Sequence, residues 1–421
     1  MILSTVLLWL SLVPGSAQAN ELSKIIQKQK PALEKLYHDL HRQPELSGQE
    51  ERSSQRVAAE FRELGLETIT SVGGHGVVGI LKNGKGPTTW VRSDLDALPV
   101  TEETQLTYKS QSPGKMHACG HDFHTMALIG AAHVMGQTKA SWHGTIVFVA
   151  QPAEELNQGA KAMVRDPKFK SLPKPDRILA LHTTGGLKKG TLGITPGFTM
   201  ANVDSVDVTF KGVGTHGALP ETGIDPFIQS AEFILKMQTL LGREKTATDP
   251  AVISVGTIHG GLKRNIIPPE VKIQLTVRTY SPQLRTQLKK RIGEIANGLA
   301  ATAGATKPEI KIVEATDATF NDPHLTRQIK DIFIEQLGKD AVVDGKPSMA
   351  GEDFGQFGKA TGAPSLYFMI GEQDEKNPMI TNHSPLFAPD FARTGPFAVR
   401  AMSTALLALH QQSESTHVQA E

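Results

Sequence analysis

Residues 144–155 read GTIVFVAQPAEE, a strand-like apolar run that ends in two adjacent carboxylates. Two further apolar runs in the first half of the chain, residues 88–91 and 177–181, also end in ionisable residues. Helical stretches such as residues 122–135 separate these runs. This alternation of strand and helix predicts an α/β layer with a largely parallel sheet. Ligands bind beyond the carboxyl ends of strands in such a sheet, so we expect the ionisable residues to face one crevice.

The pattern changes near residue 201, where three segments alternate between apolar and polar residues, as strands with one solvated face do. These segments are residues 203–210, 271–279 and 309–313, with helical stretches at 226–241 and 282–300 between them. The pattern predicts a small α+β domain of residues 202–315. It is inserted into a larger domain of residues 20–201 and 316–421, whose sheet resumes with an apolar strand at 365–370.

Two helices are predicted ahead of the first sheet. Apolar residues recur at helical spacing in the first of them, at Leu33, Leu36, Tyr37 and Leu40. Ser47 and Glu50 have the spacing of a capping box, which predicts the start of the second helix. Gly65 is then placed to end it.

Composition limits the class of protein. The chain has 421 residues, with 44 Lys plus Arg against 43 Asp plus Glu, which gives a formal net charge of +1. This balance argues against a nucleic-acid surface, which needs a basic excess. A single cysteine rules out an intrachain disulfide, so stability must come from packing.

The N-terminal residues predict the compartment. Residues 2–12 form a short, mostly apolar run, and Ala17-Gln18-Ala19 follows as a small-x-small site. This predicts a cleavable signal peptide of residues 1–19, a mature chain beginning near Asn20, and a periplasmic or secreted protein. An uncleaved hydrophobic anchor is the alternative. No later stretch reaches the roughly 18 apolar residues of a membrane span, so we expect no membrane segment in the mature form.

The segment MHACGHDFH, residues 116–124, lies just ahead of a predicted helix. Cys119 and His121 are two residues apart, and the glycine between them allows a tight turn. A thiolate and an imidazole suit a zinc-like ion, and both must be deprotonated to bind it. Taken singly, Cys119 could equally be a buried inert thiol and His121 a hydrogen-bonded structural residue. Their clustering beside strand-end carboxylates favours a metal site.

Glu154 and Glu155 suggest a more specific chemistry. Neighbouring carboxylates that face one site repel each other unless a metal neutralises one and the other is protonated or hydrogen-bonded. One carboxylate on an ion and the other beside the activated water is the arrangement that water activation requires. A solvated acidic loop is the alternative for an isolated Glu-Glu pair.

Seven motifs resemble the M20 metallopeptidase family: SDLDALP from Ser93, MHACGHDFHT from Met116, QPAEE from Gln151, GVGTHGALP from Gly212, RNIIP from Arg264, GEDF from Gly351 and NHSPLF from Asn382. The resemblance is closest to the amidohydrolase branch, which includes hippurate hydrolases, N-acyl-amino-acid amidohydrolases and auxin-conjugate hydrolases. It implies a zinc-peptidase-like catalytic domain with a mostly parallel central sheet. It also implies that the inserted α+β domain is a lid through which the chain forms a homodimer.

The resemblance implies roles for individual residues. Glu154 corresponds to the general base, and Asp96 to a carboxylate that orients a metal ligand. His216 and Asn265 resemble lid residues that contact the substrate, and His216 often reaches the site of a partner subunit in this family. Arg278 either binds a substrate carboxylate or is an ordinary strand-face residue. The implied ligands of two divalent ions, zinc or manganese, are Cys119, His121, Glu155, His182 and His383.

The implied activity is hydrolysis of the amide bond in N-acyl or N-aroyl amino acids, a small-molecule substrate class, with Glu154 as general base. Asp94 stands where other branches of the family carry a histidine ligand, so metal geometry is not transferable from the aminopeptidase branches. Two alternatives stay open: a carboxypeptidase or dipeptidase for short peptides, and a non-catalytic binding protein for amino-acid conjugates. A cysteine hydrolase is disfavoured, because a thiolate held by a metal is no longer a free nucleophile.

Overall fold

The computed structural model of the chain describes residues 14–374 and 376–411. Residues 1–13 of the predicted signal peptide and the polar tail 412–421 lie outside the described residues. The predicted cleavage site after Ala19 falls within the first helix, Pro14–Arg42. No helix in the described part of the chain combines the length and the apolar composition that crossing a membrane requires.

The described residues form helices and strands with the following bounds. The α-helices are α1 Pro14–Arg42, α2 Glu51–Glu63, α3 His121–Gln137, α4 Gly159–Arg165, α5 Pro226–Arg243, α6 Pro282–Thr302, α7 Pro323–Leu337, α8 Gly355–Thr361 and α9 Phe391–His410. The first strands are β1 Glu67–Val72, β2 Gly76–Asn83, β3 Thr88–Asp94, β4 Gly144–Gln151, β5 Arg177–Lys188, β6 Leu192–Ile194, β7 Gly197–Met200 and β8 Asn202–Lys211. The remaining strands are β9 Thr215–His216, β10 Ala251–Gly260, β11 Ile266–Ile267, β12 Glu270–Thr279, β13 Glu309–Thr316, β14 Thr319–Asn321, β15 Val342–Asp344 and β16 Ser365–Gln373.

The larger sheet has eight strands in the order β1-β2-β4-β3-β5-β16-β6-β15. Its central strands, β4, β3, β5 and β16, are parallel to their neighbours in that group, which confirms the predicted α/β fold. Antiparallel pairs join β1 to β2, β2 to β4, and β16 to β6. Strands β3 and β4 are buried along nearly their whole length, as central parallel strands must be when helices cover both faces.

Two hydrophobic cores cover the faces of this sheet. One packs the sheet against α1, α2, α3, α7 and α9, with Tyr37, Phe123 and Phe333 fully buried. The other packs Trp90 and Val147 against α4 and α8. The carboxyl ends of the central strands are left open between these layers, and the loops that follow them carry the ionisable residues.

The second sheet lies within residues 202–316 and has the order β10-β12-β8-β13, with every pair antiparallel. Helices α5 and α6 cover one face and form a separate hydrophobic core with it, including Phe210, Phe233 and Leu288. Burial alternates from residue to residue along β12 and, from Asp204 onward, along β8, as their sequence predicts. The edge strand β10 is absent from the sequence prediction. The assignment of residues 202–315 as a lid stays a prediction.

The predicted capping box at the start of α2 is wrong. Ser47 Oγ donates to Asp96 Oδ2 at 2.6 Å instead of capping the helix. Glu50 Oε1 accepts the backbone N–H of Gly48 and of Ala153, at 2.9 and 2.8 Å. Glu45 caps the helix in their place, since its carboxylate accepts the amides of residues 52 and 53. Both residues of the supposed box therefore support loops at the carboxyl ends of strands.

Candidate metal centre

A glycine in the left-handed region positions the Cys119–His121 turn. Gly120 has φ +86°, and a Cβ there would collide with Thr183 Oγ1. The turn places His121 at the first position of α3 and Cys119 just before it. Cys119 Sγ lies 3.5 Å from His182 Nε2, so the turn meets the middle of strand β5.

A hydrogen bond fixes the tautomer of His182. His182 Nδ1 donates to the carbonyl oxygen of Thr183 at 2.6 Å, which leaves the Nε2 lone pair facing Cys119. His121 Nδ1 lies 3.3 Å from Asp96 Oδ1, and its Nε2 lies 3.8 Å from Glu155 Oε1. Both imidazoles therefore face another predicted ligand with Nε2, and the Nδ1 hydrogen bond of His182 orients its ring as in metal-binding histidines.

Asp96 holds the loop that carries the paired glutamates. Its Oδ1 accepts the amide of Glu154 at 3.1 Å, and its Oδ2 accepts the amide of Glu155 at 2.9 Å. Burial would raise the pKa of Asp96, but His121 and Ser47 lower it below its usual range. Asp96 is therefore an anion that contacts both the His121 ring and the backbone of the glutamates.

His383 reaches the cluster from a long irregular segment. It has φ +69°, and its N–H donates to the carbonyl oxygen of Ala118 at 2.8 Å. Its Nε2 lies 3.5 Å from Glu155 Oε1, while 56% of its side chain is exposed. All five predicted ligands thus come together. Four of them line one cavity of about 780 Å³, with His121 buried behind it.

These residues fit divalent ions by their unsatisfied chemistry. Both ring nitrogens of His121 and Glu155 Oε1 are buried without a hydrogen-bond partner among the described residues. Burial and the nearby Glu155 raise the pKa of the Cys119 thiol well above its usual range. Burial also raises the pKa of Glu155 itself. Cations would lower these pKa values, and sulfur, nitrogen and oxygen donors are the set that zinc or manganese takes.

A neighbouring cluster of acidic and histidine groups is already satisfied by protein groups. Asp94 Oδ2 accepts Arg92 Nη1 at 2.8 Å, and Asp94 Oδ1 accepts His124 Nδ1 at 2.7 Å. His124 Nε2 accepts the amide of Thr183 at 2.9 Å, so it has no lone pair left for a metal. Asp94, which replaces a histidine ligand of other branches, is therefore bound to Arg92.

Arg92 also neutralises a second acidic group beneath Glu154. Its Nη2 donates to Glu352 Oε1 at 2.9 Å and to Asp353 Oδ1 at 3.2 Å. Tyr367 Oη adds a hydrogen bond to Glu352 at 2.8 Å. The sequence analysis predicted no role for these buried residues. An arginine inside the apolar strand β3 is nevertheless a usable signal, because a buried cation requires partners.

The cavity lies between the two sheets. Val203 and Arg278 of the second sheet face it, together with Glu154 and Asn157. Arg278 Nη1 donates to the carbonyl oxygen of Met349 at 2.8 Å, and no carboxylate of the described residues lies within ion-pair distance of its guanidinium. Arg278 is thus an unpaired cation on the cavity wall.

His216 and Asn265 do not line this cavity. His216 lies in β9 and Asn265 directly precedes β11, and the Gly217 amide donates to the Asn265 carbonyl oxygen at 2.8 Å. His216 is exposed there. The predicted substrate contact of both residues stays a prediction that requires lid movement or a second chain.

The chain is similar to known proteins in sequence and in fold. The model of "Peptidase family M20/M25/M40" matches residues 90–405. The N-acetyl-L-cysteine deacetylase of Bacillus subtilis is 35% identical over 344 residues, which cover 81% of each chain. Thermostable carboxypeptidase 1 of Saccharolobus solfataricus is 34% identical over 357 residues, covering 83% of this chain and 88% of the relative.

A solved structure shares the fold over nearly the whole chain. It is the YXEP protein of Bacillus subtilis, described as a dinuclear metal binding peptidase from the M20 family. It has a TM-score of 0.76 and 29% sequence identity, and the match covers 91% of this chain and 98% of that chain.

Proposed function

Because the chain belongs to peptidase family M20/M25/M40, we propose that it cleaves the amide bond of N-acyl or N-aroyl amino acids to a carboxylic acid and a free amino acid. The chain is a metal-dependent amidohydrolase. One observation carries the proposal: Glu154, whose side chain makes no hydrogen bond among the described residues, faces the cavity beside five converging metal-binding side chains. A binding protein has no use for that glutamate.

Cys119, His121, Glu155, His182 and His383 would hold two divalent ions, which would supply Lewis acidity for the carbonyl and lower the pKa of water. Glu154 accepts a proton from the attacking water and returns it to the leaving amine. Burial and the neighbouring Glu352 raise the pKa of Glu154 well above its usual range, so it can hold that proton between the two transfers. His216 would stabilise the oxyanion when it reaches the site.

The substrate carboxylate is assigned to Arg278. Its guanidinium has no carboxylate partner among the described residues, and it faces the same cavity as the ligands. Arginine binds carboxylates in a forked, charge-assisted geometry, which would place the free amino-acid end of the substrate against the second sheet. A cavity of about 780 Å³ is within the range of small-molecule sites.

A hydrolysis panel on metal-reconstituted protein tests the activity. N-acetyl and N-benzoyl amino acids are compared with unblocked dipeptides, and kcat/KM is measured for each. We expect the blocked amino acids to be cleaved at least tenfold more efficiently, and a chelator to abolish cleavage until divalent ions are restored. Faster cleavage of dipeptides would favour the carboxypeptidase alternative, and tight binding without hydrolysis would favour the binding protein.

We also propose a homodimer formed through residues 202–315. Strand β10 is an edge strand with one unpaired side, and apolar side chains on α5 and nearby are exposed, including Ile228, Leu235 and Ile258. An edge strand beside exposed apolar residues is a typical association surface. Sedimentation velocity should give twice the monomer mass, and a monomer at micromolar concentration would contradict the proposal.

The proposed location is extracytoplasmic, on the basis of the apolar run at residues 2–12 and the small residues that follow it. Expression of the full chain with cell fractionation tests it. The protein recovered outside the cytoplasm should begin near Asn20 by N-terminal sequencing. Full-length protein confined to the cytoplasm would contradict the proposal.

A further inference from the structure

We propose that Asn382 is a positioning residue that holds three ligand-bearing segments together before any metal ion binds. The proposal rests on the metal-dependent function given above. Asn382 Nδ2 donates to the carbonyl oxygen of Thr183 at 3.0 Å and to that of Cys119 at 3.2 Å. One side-chain amide therefore joins the Cys119 turn and strand β5, at the residue next to His182, to the segment that carries His383.

His383 needs such an anchor because of where it lies. The segment between β16 and α9 has no regular secondary structure in its described residues, and His383 on it is exposed with a left-handed backbone. A ligand on an irregular segment loses conformational freedom when it binds an ion, and this loss opposes binding. Bonds formed beforehand reduce that cost, which raises the metal affinity.

The orientation of the Asn382 carboxamide is fixed by its neighbours. Two carbonyl oxygens accept hydrogen bonds and cannot donate them, so only the NH₂ end can face them. Cys119 Sγ lies 3.9 Å from the same nitrogen, where a thiolate would also accept a hydrogen bond. With a side chain that has no donors at position 382, both of these hydrogen bonds would be lost.

The segment is also anchored by a second, independent bond. The N–H of His383 donates to the carbonyl oxygen of Ala118 at 2.8 Å, one residue before Cys119. This bond fixes the backbone at His383 against the Cys119 turn only. Thr183 Oγ1 of strand β5 already donates to the carbonyl oxygen of Cys119 at 3.3 Å. Asn382 adds a direct hydrogen bond from the His383 segment to Thr183, next to His182.

Two substitutions separate hydrogen bonding from bulk. Asn382→Ala removes both donors and the volume, whereas Asn382→Leu removes the donors and keeps a similar volume. Asn377→Ala and Asn377→Leu are matched controls, because Asn377 is exposed on the same segment and contributes only backbone groups to hydrogen bonds among the described residues. Each variant is titrated with Zn²⁺ and Mn²⁺ by calorimetry, starting from the metal-free protein.

We expect both Asn382 variants to weaken the binding of at least one ion by 10- to 100-fold, the usual effect of removing a partner behind a metal ligand. Amide hydrogen exchange of the metal-free protein should also accelerate in residues 381–388, with parental exchange in the main sheet. The Asn377 controls should behave as the parent does.

The proposal is overturned if Asn382→Leu keeps parental affinity and exchange, whether or not Asn382→Ala does, because the donors would then be dispensable. Accelerated exchange throughout the main sheet would also overturn it, since Asn382 would then stabilise the fold rather than the ligand segments. None of these readouts depends on turnover. A parent that binds two ions but hydrolyses nothing would refute the proposed function and leave the role of Asn382 standing.

Discussion

Glu154 and Glu155 are adjacent in the sequence but have different surroundings. Glu155 Oε1 lies 3.8 Å from His121 Nε2 and 3.5 Å from His383 Nε2, among the metal-binding side chains. Glu154 lies in a cluster with Glu352 and Asp353, and their charges together with burial raise its pKa. The neighbours of the two carboxylates therefore separate their roles: Glu155 lies among the other predicted ligands and is placed to bind a cation, whereas the acidic neighbours of Glu154 favour its protonated form and suit proton transfer.

This difference predicts opposite results for two conservative substitutions. Glu154→Gln should lower kcat at least 100-fold, because a carboxamide cannot accept the proton, while two ions per chain remain bound. Glu155→Gln should lower metal affinity instead. Plasma emission spectroscopy measures the metal content of each variant. Initial rates on the best substrate of the panel measure its turnover. Near-parental turnover in Glu154→Gln would remove this residue from the role of general base.

A buried histidine predicts the pH dependence of stability. His41 Nδ1 lies 2.6 Å from Asp122 Oδ2, and its Nε2 lies 3.3 Å from Glu102 Oε1. Burial lowers the pKa of His41, but these two carboxylates raise it by more, to about 9 from the usual 6.5. The raised pKa means that the charged form stabilises the fold. This contribution is complete below pH 6.5 and is lost as the pH rises through 9.

We therefore expect the metal-free protein to lose about 3 kcal/mol of unfolding free energy from this group between pH 6.5 and 9.5. His41→Gln should be less stable at pH 6.5 and should approach the parent at pH 9.5. Urea unfolding of the two metal-free proteins gives the difference in their unfolding free energy at each pH. The titration of the other groups in the site is common to both proteins and cancels in this difference. If the difference in unfolding free energy between the two proteins were constant across this pH range, His41 would not be charged in the folded protein.

Some residue roles could not be predicted from spacing. Ser47 and Glu50 have the spacing of a capping box, but their partners are Asp96 and Ala153, which are distant in sequence. Arg92 is visible in the sequence as a cation inside an apolar strand, yet its partners Glu352 and Asp353 are about 260 residues away. Local pattern shows that such a residue is unusual, and only the packed structure shows which group satisfies it.

At the scale of elements, the sequence predicted the strands and the residues that follow them. Strands β3, β4 and β5 begin where the apolar runs predict, because central parallel strands are apolar on both faces. Strand β10 was missed, since an edge strand with a solvated face gives a weak pattern. The irregular segment before α9 has no periodicity at all, so the place of His383 came only from the family resemblance.

The approach of that segment to strand β5 predicts an effect of a small substitution. A Cβ at Gly185 would overlap the carbonyl oxygen of Ile380, whereas a Cβ at the adjacent Gly186 would make an ordinary contact of 3.5 Å with Thr184 Oγ1. Gly185→Ala should therefore displace the segment, weaken metal binding and cost about 1–3 kcal/mol, the usual range for overpacking. Gly186→Ala is the matched control, with less than about 0.5 kcal/mol expected at this less crowded position.

Urea unfolding and zinc titration of the two glycine variants measure these effects. Equal stability and equal zinc affinity in Gly185→Ala and Gly186→Ala would show that the segment does not pack against β5 as described.

At the scale of the whole molecule, the cavity is shared between the two sheets. Strand β5 of the main sheet and the loops and helix start beside it carry the predicted ligands, and the second sheet contributes Val203 and Arg278 to the cavity lining. The sequence predicted both sheets, but it could not predict that Arg278 faces the ligands while His216 lies outside the cavity. Such placement depends on how two separately formed cores meet, for which local periodicity carries no information.

The binding of ions should also stabilise the whole fold, because the five ligands come from segments between residues 119 and 383. An ion that binds only the folded chain adds about 2.7 kcal/mol at one hundred times its Kd. The free energy of unfolding in urea measured with excess Zn²⁺ should therefore exceed the value measured with a chelator by at least about this amount. The double variant Cys119→Ala, His383→Ala should lose most of the increment while its metal-free stability changes less.

If the double variant kept the full increment, the ions that stabilise the fold would be bound elsewhere. The assignment of these side chains as the metal centre would then be wrong, whatever activity the protein showed.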